Sequence, residues 1–173
     1  DIIRRKGVKL MDQKKVVIVT GGSMGIGRAI ADRFANDGAD VVIADIAGAA
    51  EAANEMVAAG ASAIGVTCDI SDPVSCDAMV LAAVNAFGRI DTLVNNAGLY
   101  STLKLTDFSK IKPEDWQRVL NVNVMGQAFV TAAVLPTMQT QNKGEIVNMS
   151  SGTPFKGVPY LLHYVASKGA INA

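Results

Sequence analysis

The stretch KVVIVTGGSMGIG, residues 15–27, decides the fold. Its first part, Lys15 to Thr20, is rich in β-branched residues and stops at glycines, as a buried strand does. From Arg28 to Asn36 apolar residues recur at helical spacing until Gly38, a typical helix stop. Glycines between a strand and a helix let the backbone turn tightly and approach a pyrophosphate at the helix N-terminus. The stretch therefore predicts a dinucleotide-binding turn, although glycines also serve ordinary tight turns and helix ends. The residues expected to contact the dinucleotide here are Gly21, Ser23, Met24, Gly25, Ile26 and Gly27.

The alternation of strand and helix continues along the chain. Further strands are predicted at Asp40 to Ile46, Ala63 to Ile70, Ile90 to Asn95 and Glu145 to Ser150. Helices are predicted at Ala49 to Ala59, from Ser71 or Asp72 to about Phe87, from Pro113 toward Gln139, where Pro136 could bend it, and from about Tyr164 onward. Nearly continuous apolar strands that alternate with helices predict an α/β fold, a doubly wound parallel sheet of the Rossmann type with helices on both faces.

Length and charge limit the organisation of the chain and its partners. At 173 residues, half of them apolar, the chain has room for one compact domain. Residues 1–11 are interpreted as an N-terminal extension, with Met11 just ahead of the first strand. Residues 12–173 form the predicted dinucleotide-binding domain, which also carries the candidate catalytic residues. Basic and acidic side chains number 16 each and the only basic cluster is at residues 4–6, so nucleic acid is not an expected partner.

Cysteine usage and hydropathy indicate the compartment. Cys68 and Cys76 lack the spacing of a metal site or of a secreted disulfide scaffold, which indicates a reducing compartment. No continuous run approaches the roughly 20 apolar residues that span a bilayer, and the charged N-terminus lacks the apolar stretch of a signal peptide. We therefore expect a cytoplasmic protein that binds neither a metal nor a membrane.

An acidic residue follows the glycine turn at a distance that suits a ribose. Asp45 closes the second predicted strand 18 residues after Gly27, where a carboxylate can accept hydrogen bonds from both adenosine-ribose hydroxyls. It would also repel a 2′-phosphate, and Met24 and Ile46 stand where a cation could neutralise one. These residues predict NAD rather than NADP. A solvated strand-end carboxylate is the alternative for Asp45, and Asp69 could either meet the adenine or cap the next helix.

Four motifs in order carry a resemblance to a known family. The first is the turn Thr-Gly-x-x-x-Gly-x-Gly, and the second is Asn95-Asn96-Ala97-Gly98 after the fourth strand. The third is NVNVMG around Asn123, and the fourth places Ser151 ahead of Tyr164-Val165-Ala166-Ser167-Lys168. From about Lys14 to Ala173 the sequence thereby resembles the classical short-chain dehydrogenase/reductase family.

The resemblance implies an oxidoreductase that transfers hydride between NAD(H) and a secondary alcohol or ketone. Tyr164 would be the general acid and base. Lys168 lies four residues further on, on the same helix face, where its ammonium group would favour the phenolate and hold the nicotinamide ribose. Ser151 would hold the substrate oxygen; it is preferred to Ser150 because the family's serine stands 13 residues before the tyrosine. Asn123 would anchor a water that links Lys168 to solvent.

The remaining candidate residues have mixed interpretations. Taken alone, each of the four catalytic candidates also has an ordinary structural explanation. His163, the only histidine, is expected to be a pocket or surface residue rather than a catalyst. Trp116 and Phe129 are interpreted as core aromatics, and Asn95 as a bridge between strands. The cofactor contacts that the resemblance adds are Ile70, Asn96, Ala97 and Gly98, with Tyr164 and Lys168 at the nicotinamide end.

Family members normally continue beyond the Tyr164 helix, so we expect C-terminal strands of the sheet to be missing here and the chain to be part of a longer one. They usually form homodimers or homotetramers.

The residues expected near the substrate are mostly apolar and predict a small or medium hydrophobic alcohol or ketone: Leu99, Tyr100, Thr153, Pro154, Leu161 and Leu162. Two alternatives stay open. One is a 3-oxoacyl thioester reductase, against which the absence of a basic residue at Met24 counts, and the other is a catalytically silent nucleotide-binding protein.

Overall fold

A computed structural model describes residues 14–173. The predicted extension at residues 1–11, its basic cluster at residues 4–6 and residues 12 and 13 of the predicted domain lie outside the described residues.

The described residues alternate between strands and helices. The strands are β1 Val16–Thr20, β2 Asp40–Asp45, β3 Ser62–Thr67, β4 Thr92–Asn95 and β5 Glu145–Asn148. The helices are α1 Gly25–Asn36, α2 Ala49–Ala58, α3 Pro73–Phe87, α4 Pro113–Leu120, α5 Gln127–Thr140, α6 Thr153–Lys156 and α7 Leu162–Asn172. A 3₁₀ turn spans Phe108–Lys110, and a π-helical segment, Asn121–Gly126, joins α4 to α5.

The five strands form one parallel sheet in the order β3-β2-β1-β4-β5. β1 pairs with β2 in a register that sets Val16 opposite Asp40, and with β4 in one that sets Val17 opposite Thr92. The chain runs outward from β1 in one direction and from β4 in the other, so the loops after these two strands separate. Such a switch point leaves a crevice at the carboxyl ends of the strands. The predicted doubly wound parallel sheet is confirmed.

Two apolar clusters lie on opposite faces of this sheet, because successive side chains of a strand point to opposite sides. Ile18 of β1 belongs to the cluster that contains Met79 of α3 and Val130 of α5. Val17, its neighbour, belongs to the cluster that contains Ala31 of α1. All five residues of β1 are buried, so the strand is covered on both faces as its continuous apolar run predicts.

The third strand ends earlier than predicted. β3 stops at Thr67 rather than at Ile70. The reason lies in Asp69, whose Oδ1 accepts hydrogen bonds from the N–H and the hydroxyl of Ser71 at 2.9 and 2.7 Å. These bonds turn the chain toward α3, whose N-cap is Asp72. Asp69 and Ile70 are therefore loop residues beyond the sheet rather than strand residues.

β4, β5 and the long helix also differ from the prediction, and β4 begins at Thr92 rather than at Ile90. β5 ends at Asn148, two residues before the predicted Ser150, so both candidate serines lie in the loop after it. The predicted long helix begins at Pro113 and α5 continues through Pro136. Its departure from α-helical geometry lies instead at Asn121–Gly126, and π-helical turns of this kind are frequent at functional sites.

The helical segment Pro113–Thr140 is 28 residues long and apolar enough, by length and composition alone, to cross a membrane. The sequence analysis did not anticipate this. In the structure the segment packs against the sheet layer and its neighbouring helices, and Val119, Val130 and Val134 are completely buried there. Core helices of globular domains have the same composition, so the segment is weak support for a membrane span.

A buried carboxylate joins β4 to β1 at the end of the sheet opposite the crevice. Asp91 is 4% exposed, and its Oδ2 accepts hydrogen bonds from the Val16 N–H at 2.9 Å and from Arg89 Nε at 2.8 Å. Its Oδ1 accepts a third from Arg89 Nη2 at 2.6 Å. Burial by itself would raise the pKa of Asp91, but the hydrogen bonds from Arg89 and Val16 outweigh it, and the pKa is lowered.

We expect Asp91→Ala to lower the free energy of unfolding by about 3 kcal/mol, because it leaves the buried Val16 N–H without its acceptor and removes the hydrogen bonds that Arg89 donates to the carboxylate. Since the folded pKa lies below the unfolded one, this contribution is complete above the unfolded value and disappears as the pH falls through the folded value. Urea denaturation at neutral and acidic pH measures both effects. Asp37→Ala, which removes the exposed partner of Arg33, is the matched control and should cost less than about 0.5 kcal/mol. Equal losses in the two variants would contradict the role assigned to Asp91.

Candidate active site

A cavity of about 570 Å³ opens at the carboxyl ends of β1, β2 and β4, where the topology places the crevice. A volume of this size is typical of small-molecule sites. Most of the predicted cofactor residues line it: Gly21, Met24, Ile26, Gly27, Asp45, Ile46, Asp69, Ile70, Asn96, Ala97 and Gly98. Ser23 and Gly25 belong to the same turn without lining the cavity.

The glycine turn requires glycine at two positions. A Cβ on Gly27 would overlap the carbonyl oxygen of Gly21, and Gly21 itself has a φ of +64°. Asn96, beyond β4, fixes the turn: its Nδ2 donates to the carbonyls of Thr20 and Gly21 at 3.0 and 3.1 Å. Thr20 adds two further hydrogen bonds between these segments, because its hydroxyl oxygen accepts from the N–H groups of Asn96 and Ala97 at 3.1 Å. The sequence analysis assigned no such role to Thr20, which is visible only once β1 and β4 are known to be neighbours.

Asp45 is held at the mouth of the cavity by the turn. Its Oδ2 accepts hydrogen bonds from the hydroxyl and the N–H of Ser23 at 2.6 and 3.1 Å. Its Oδ1 accepts none from the residues the structure describes. Met24 and Ile46 flank this position with exposed apolar side chains. A carboxylate with one oxygen anchored and one open can accept from a ribose.

Tyr164 and Lys168 lie on one face of α7, as predicted. Both are buried, with 8% and 4% of their surface exposed. Lys168 Nζ lies 6.0 Å from the centroid of the Tyr164 ring and donates a hydrogen bond to the Met149 carbonyl at 2.6 Å. Burial lowers the pKa of Lys168. The geometry brings an amine, fixed by one backbone oxygen, close to a phenol.

Asn123 joins three parts of the site through its side chain. Its Oδ1 accepts from the Leu99 N–H at 2.7 Å, and its Nδ2 donates to the Leu99 carbonyl at 3.2 Å and to the Ser167 hydroxyl at 3.0 Å. Ser167 in turn donates to the Tyr164 carbonyl at 2.7 Å. Asn123 therefore fixes both the loop after β4 and helix α7. Sequence reasoning missed Ser167, which no spacing or residue type distinguishes from an ordinary helix serine.

The two candidate serines have different partners. The Ser150 hydroxyl lies 3.1 Å from the Lys168 carbonyl oxygen and 2.6 Å from Asn172 Oδ1. Both acceptors belong to α7, so the single hydroxyl proton of Ser150 is used in holding that helix. Ser151 accepts from the Thr153 N–H at 3.1 Å, which leaves its proton available. Of the two, Ser151 is the one with a free donor.

Two aromatic pairs surround the catalytic candidates. Trp116 packs edge-on against His163, with ring centroids 6.1 Å apart, and this contact joins α4 to α7. Tyr100, in the loop after β4, packs against Tyr164 with centroids 5.0 Å apart. Trp116 and Phe129 are both partly buried, and Phe129 packs against the core cluster.

The cavity also contains a residue that sequence reasoning missed. Arg118 of α4 lines it beside Ser71 and Val122, and its nearest carboxylate contact is a loose one to Asp115 at 3.9 Å. Helical spacing alone does not show which face of α4 meets the cavity. Within residues 14–173, no group of three or more His, Cys, Asp or Glu side chains could hold a metal ion.

These features fit a dinucleotide. A turn that a single Cβ would block, the N-terminus of α1 directly after it, and an acidic side chain anchored at the end of β2 are the three elements by which this kind of sheet binds pyrophosphate and ribose.

Comparison with known proteins agrees with the geometry. The sequence model described as short chain dehydrogenase matches residues 15–173. The chain belongs to the short-chain dehydrogenase family.

Individual relatives give the same result. An oxidoreductase of Methylorubrum extorquens is 40% identical over 162 residues, which are 92% of this chain and 63% of that protein. Galactitol 2-dehydrogenase of Agrobacterium fabrum is 38% identical over 158 residues, 91% of this chain and 60% of that enzyme. The chain therefore spans a little over half the length of these short-chain dehydrogenases.

Solved structures of short-chain dehydrogenases superpose closely. NAD⁺-bound xylitol dehydrogenase has a TM-score of 0.86 at 35% identity, over 92% of this chain and 62% of that one. A short-chain dehydrogenase/reductase from Burkholderia phymatum in complex with NAD has a TM-score of 0.87 at 36% identity, over 92% and 57% of the two chains. The resemblance predicted from the four motifs is confirmed.

His163 generates a prediction about acid stability. It is 3% exposed, and its Nδ1 has no hydrogen-bond partner among the described residues. Burial lowers its pKa; Asp115 opposes this effect and Arg118 adds to it. Because the unfolded chain then binds the proton more tightly, stability should fall as the pH drops below the ordinary histidine value near 6.5.

We expect His163→Phe, which keeps an aromatic ring against Trp116, to lose less stability than the wild type between pH about 7.5 and about 5.5. Urea denaturation at the two pH values measures the difference. His163 is the only histidine, so no other imidazole can account for the effect. Identical pH dependence in the two proteins would rule it out.

Proposed function

We propose that this protein transfers hydride between NAD(H) and a secondary alcohol or its ketone, with Tyr164 as general acid and base. The observation that supports this most is the pair of Tyr164 and Lys168, buried together on α7 beside a cavity built for a dinucleotide. NAD is the cofactor, and it supplies the hydride acceptor or donor when bound. The chain itself supplies the proton transfer and the positioning.

The proton step assigned to Tyr164 follows from its surroundings. In alcohol oxidation the Tyr164 oxygen takes the proton of the substrate hydroxyl while the C–H bond of the carbinol breaks; in ketone reduction the phenol returns a proton to the oxygen. Lys168 has three donors and uses one for the Met149 carbonyl, so two remain for other partners such as a ribose. Its amine lies 6.0 Å from the centroid of the Tyr164 ring, next to the group to which we assign the proton transfer.

Ser151 and Asn123 have supporting roles in this proposal. Ser151 retains a free hydroxyl proton for the substrate oxygen, since Ser150 uses its own in holding α7. The Asn123 side chain holds the Leu99 main chain and the Ser167 hydroxyl, and Ser167 donates to the Tyr164 carbonyl. We therefore propose Asn123 as a positioning residue for α7.

Tyr164→Phe should reduce kcat by about 10² to 10⁴-fold, because it removes the proton acceptor but keeps the ring. NADH binding, followed by nicotinamide fluorescence, should change by less than about twofold, since the phenol is not needed to hold the adenosine half. The assay follows nicotinamide absorbance with a panel of apolar secondary alcohols, ketones and polyols. Tyr160→Phe, at an exposed tyrosine four residues earlier, is the matched control. Wild-type turnover by Tyr164→Phe would contradict the proposal.

The preference for NAD over NADP depends on Asp45. Asp45→Asn keeps an acceptor for Ser23 but removes the charge that repels a 2′-phosphate, so the ratio of the two dissociation constants should shift toward NADP by about tenfold or more. Titration calorimetry with NAD and NADP measures this ratio. Asp40→Asn, at the opposite end of the same strand, is the control and should leave the ratio unchanged. A wild-type protein that bound NADP as tightly as NAD would refute the preference.

Two other functions would use parts of the same site. A 3-oxoacyl thioester reductase has the same chemistry, and the substrate panel distinguishes it. A silent nucleotide-binding protein would bind NAD without turnover, but binding alone does not need Tyr164 and Lys168 to be buried as neighbours. Assembly as a homodimer or homotetramer and a cytoplasmic location stay predictions.

A further inference from the structure

The ring of Tyr164 is covered by a second aromatic ring. Tyr100 packs on it with the centroids 5.0 Å apart and the planes tilted by 47°. The two exposures are very different: Tyr164 is 8% exposed and Tyr100 is 58% exposed. The inner ring is therefore shielded by a side chain that itself lies mostly in solvent.

Tyr100 also contacts both Tyr164 and the dinucleotide cavity. Among residues 14–173, the cavity lining includes Leu99, Tyr100 and Ser101 but not Tyr164. A general acid and base has to come within about 3 Å of the substrate oxygen. A substrate that approaches Tyr164 from the cavity therefore meets the Tyr100 ring, which lines the cavity and contacts the Tyr164 ring.

The backbone of this loop is fixed while the Tyr100 ring is not. Asn123 accepts from and donates to the main chain of Leu99, the residue just before Tyr100. The Tyr100 carbonyl accepts from the Leu103 N–H at 3.0 Å, and the Thr106 N–H donates to the Tyr160 carbonyl at 2.9 Å. An exposed side chain on an anchored backbone changes rotamer within nanoseconds. Its position is thus set by its contact with Tyr164 rather than by the chain.

We propose that Tyr100 is a specificity-determining residue, an aromatic cover over Tyr164 that admits slender substituents on the carbinol carbon and rejects bulky ones. This rests on the proposed function of Tyr164. The contact is ring to ring, so the phenol oxygen of Tyr100 is not required. The discrimination comes from the space that the ring fills, since steric differences in apolar pockets change kcat/KM by tenfold or more.

The kinetic test compares kcat/KM for isopropanol, which is slender, with that for benzhydrol, which is bulky. Tyr100→Ala should raise the ratio of bulky to slender by about tenfold or more, whereas Tyr100→Phe should stay within about twofold of wild type. Phe108→Ala, which removes another exposed aromatic side chain from the same connection, is the control and should leave the ratio unchanged. An unchanged ratio in Tyr100→Ala would overturn the proposal.

A chemical test is independent of turnover. Tetranitromethane nitrates accessible tyrosines, and peptide mass spectrometry locates the product. In the free wild-type protein Tyr100 should be nitrated and Tyr164 protected, whereas Tyr164 should become reactive in Tyr100→Ala and stay protected in Tyr100→Phe. Protection of Tyr164 in all three proteins would contradict the proposal that the Tyr100 ring covers Tyr164. If the wild type turned over no alcohol at all, the proposed function would fail, and the nitration pattern would still decide whether Tyr100 covers Tyr164.

Discussion

The close approach of the glycine turn to the loop after β4 is the contact on which the site depends. Gly27 lies against the Gly21 carbonyl with no room for a Cβ, and Asn96 donates to the carbonyls of Thr20 and Gly21, where the turn begins. These contacts join the carboxyl ends of the two central strands, which diverge at the switch point. Without them α1 could not begin where a pyrophosphate needs its N-terminus. The crevice follows from the order of strands, and its shape follows from the missing Cβ atoms.

The fold could be predicted from sequence because its signals are local. The β-branched run of β1 and the helical spacing of α1 each occupy one stretch of chain, and the alternation of such stretches permits few topologies. The predictions were least accurate at element ends. β3 was predicted to reach Ile70, but the side chain of Asp69 turns the backbone at Ser71. A hydropathy pattern cannot predict a local hydrogen bond between a side chain and the backbone.

Much of the candidate site could also be predicted, because a motif fixes residue types at fixed separations. What the sequence could not supply is the set of partners that hold those residues. Ser23 meets Asp45 across 22 residues, Leu99 meets Asn123 across 24, and Asn123 meets Ser167 across 44. Arg118 lines the cavity and its helix α4 packs on α7, but helical spacing alone does not show which face of α4 meets the cavity. Contacts of this kind exist only after the sheet has brought distant segments together, so the periodicity of the sequence does not predict them.

The distribution of polar groups explains why the site can be both rigid and selective. The middle of the sheet is apolar, whereas Thr20, Asn123, Ser167 and Lys168 are all buried near its carboxyl end. Burying such groups is costly unless they are hydrogen-bonded, and each of these four has a partner at 3.3 Å or less. Two of these bonds also fix α7: Asn123 joins it to the loop after β4 through Ser167 and Leu99, and Lys168 joins it to Met149, after β5. Tyr100 is the exception, because its ring is exposed and, among residues 14–173, its only ring contact is with Tyr164. If Tyr164 transfers the proton and Tyr100 selects the substrate, as we propose, then the chemistry depends on the buried hydrogen bonds, whereas the selection depends on a side chain that can be replaced without disturbing them.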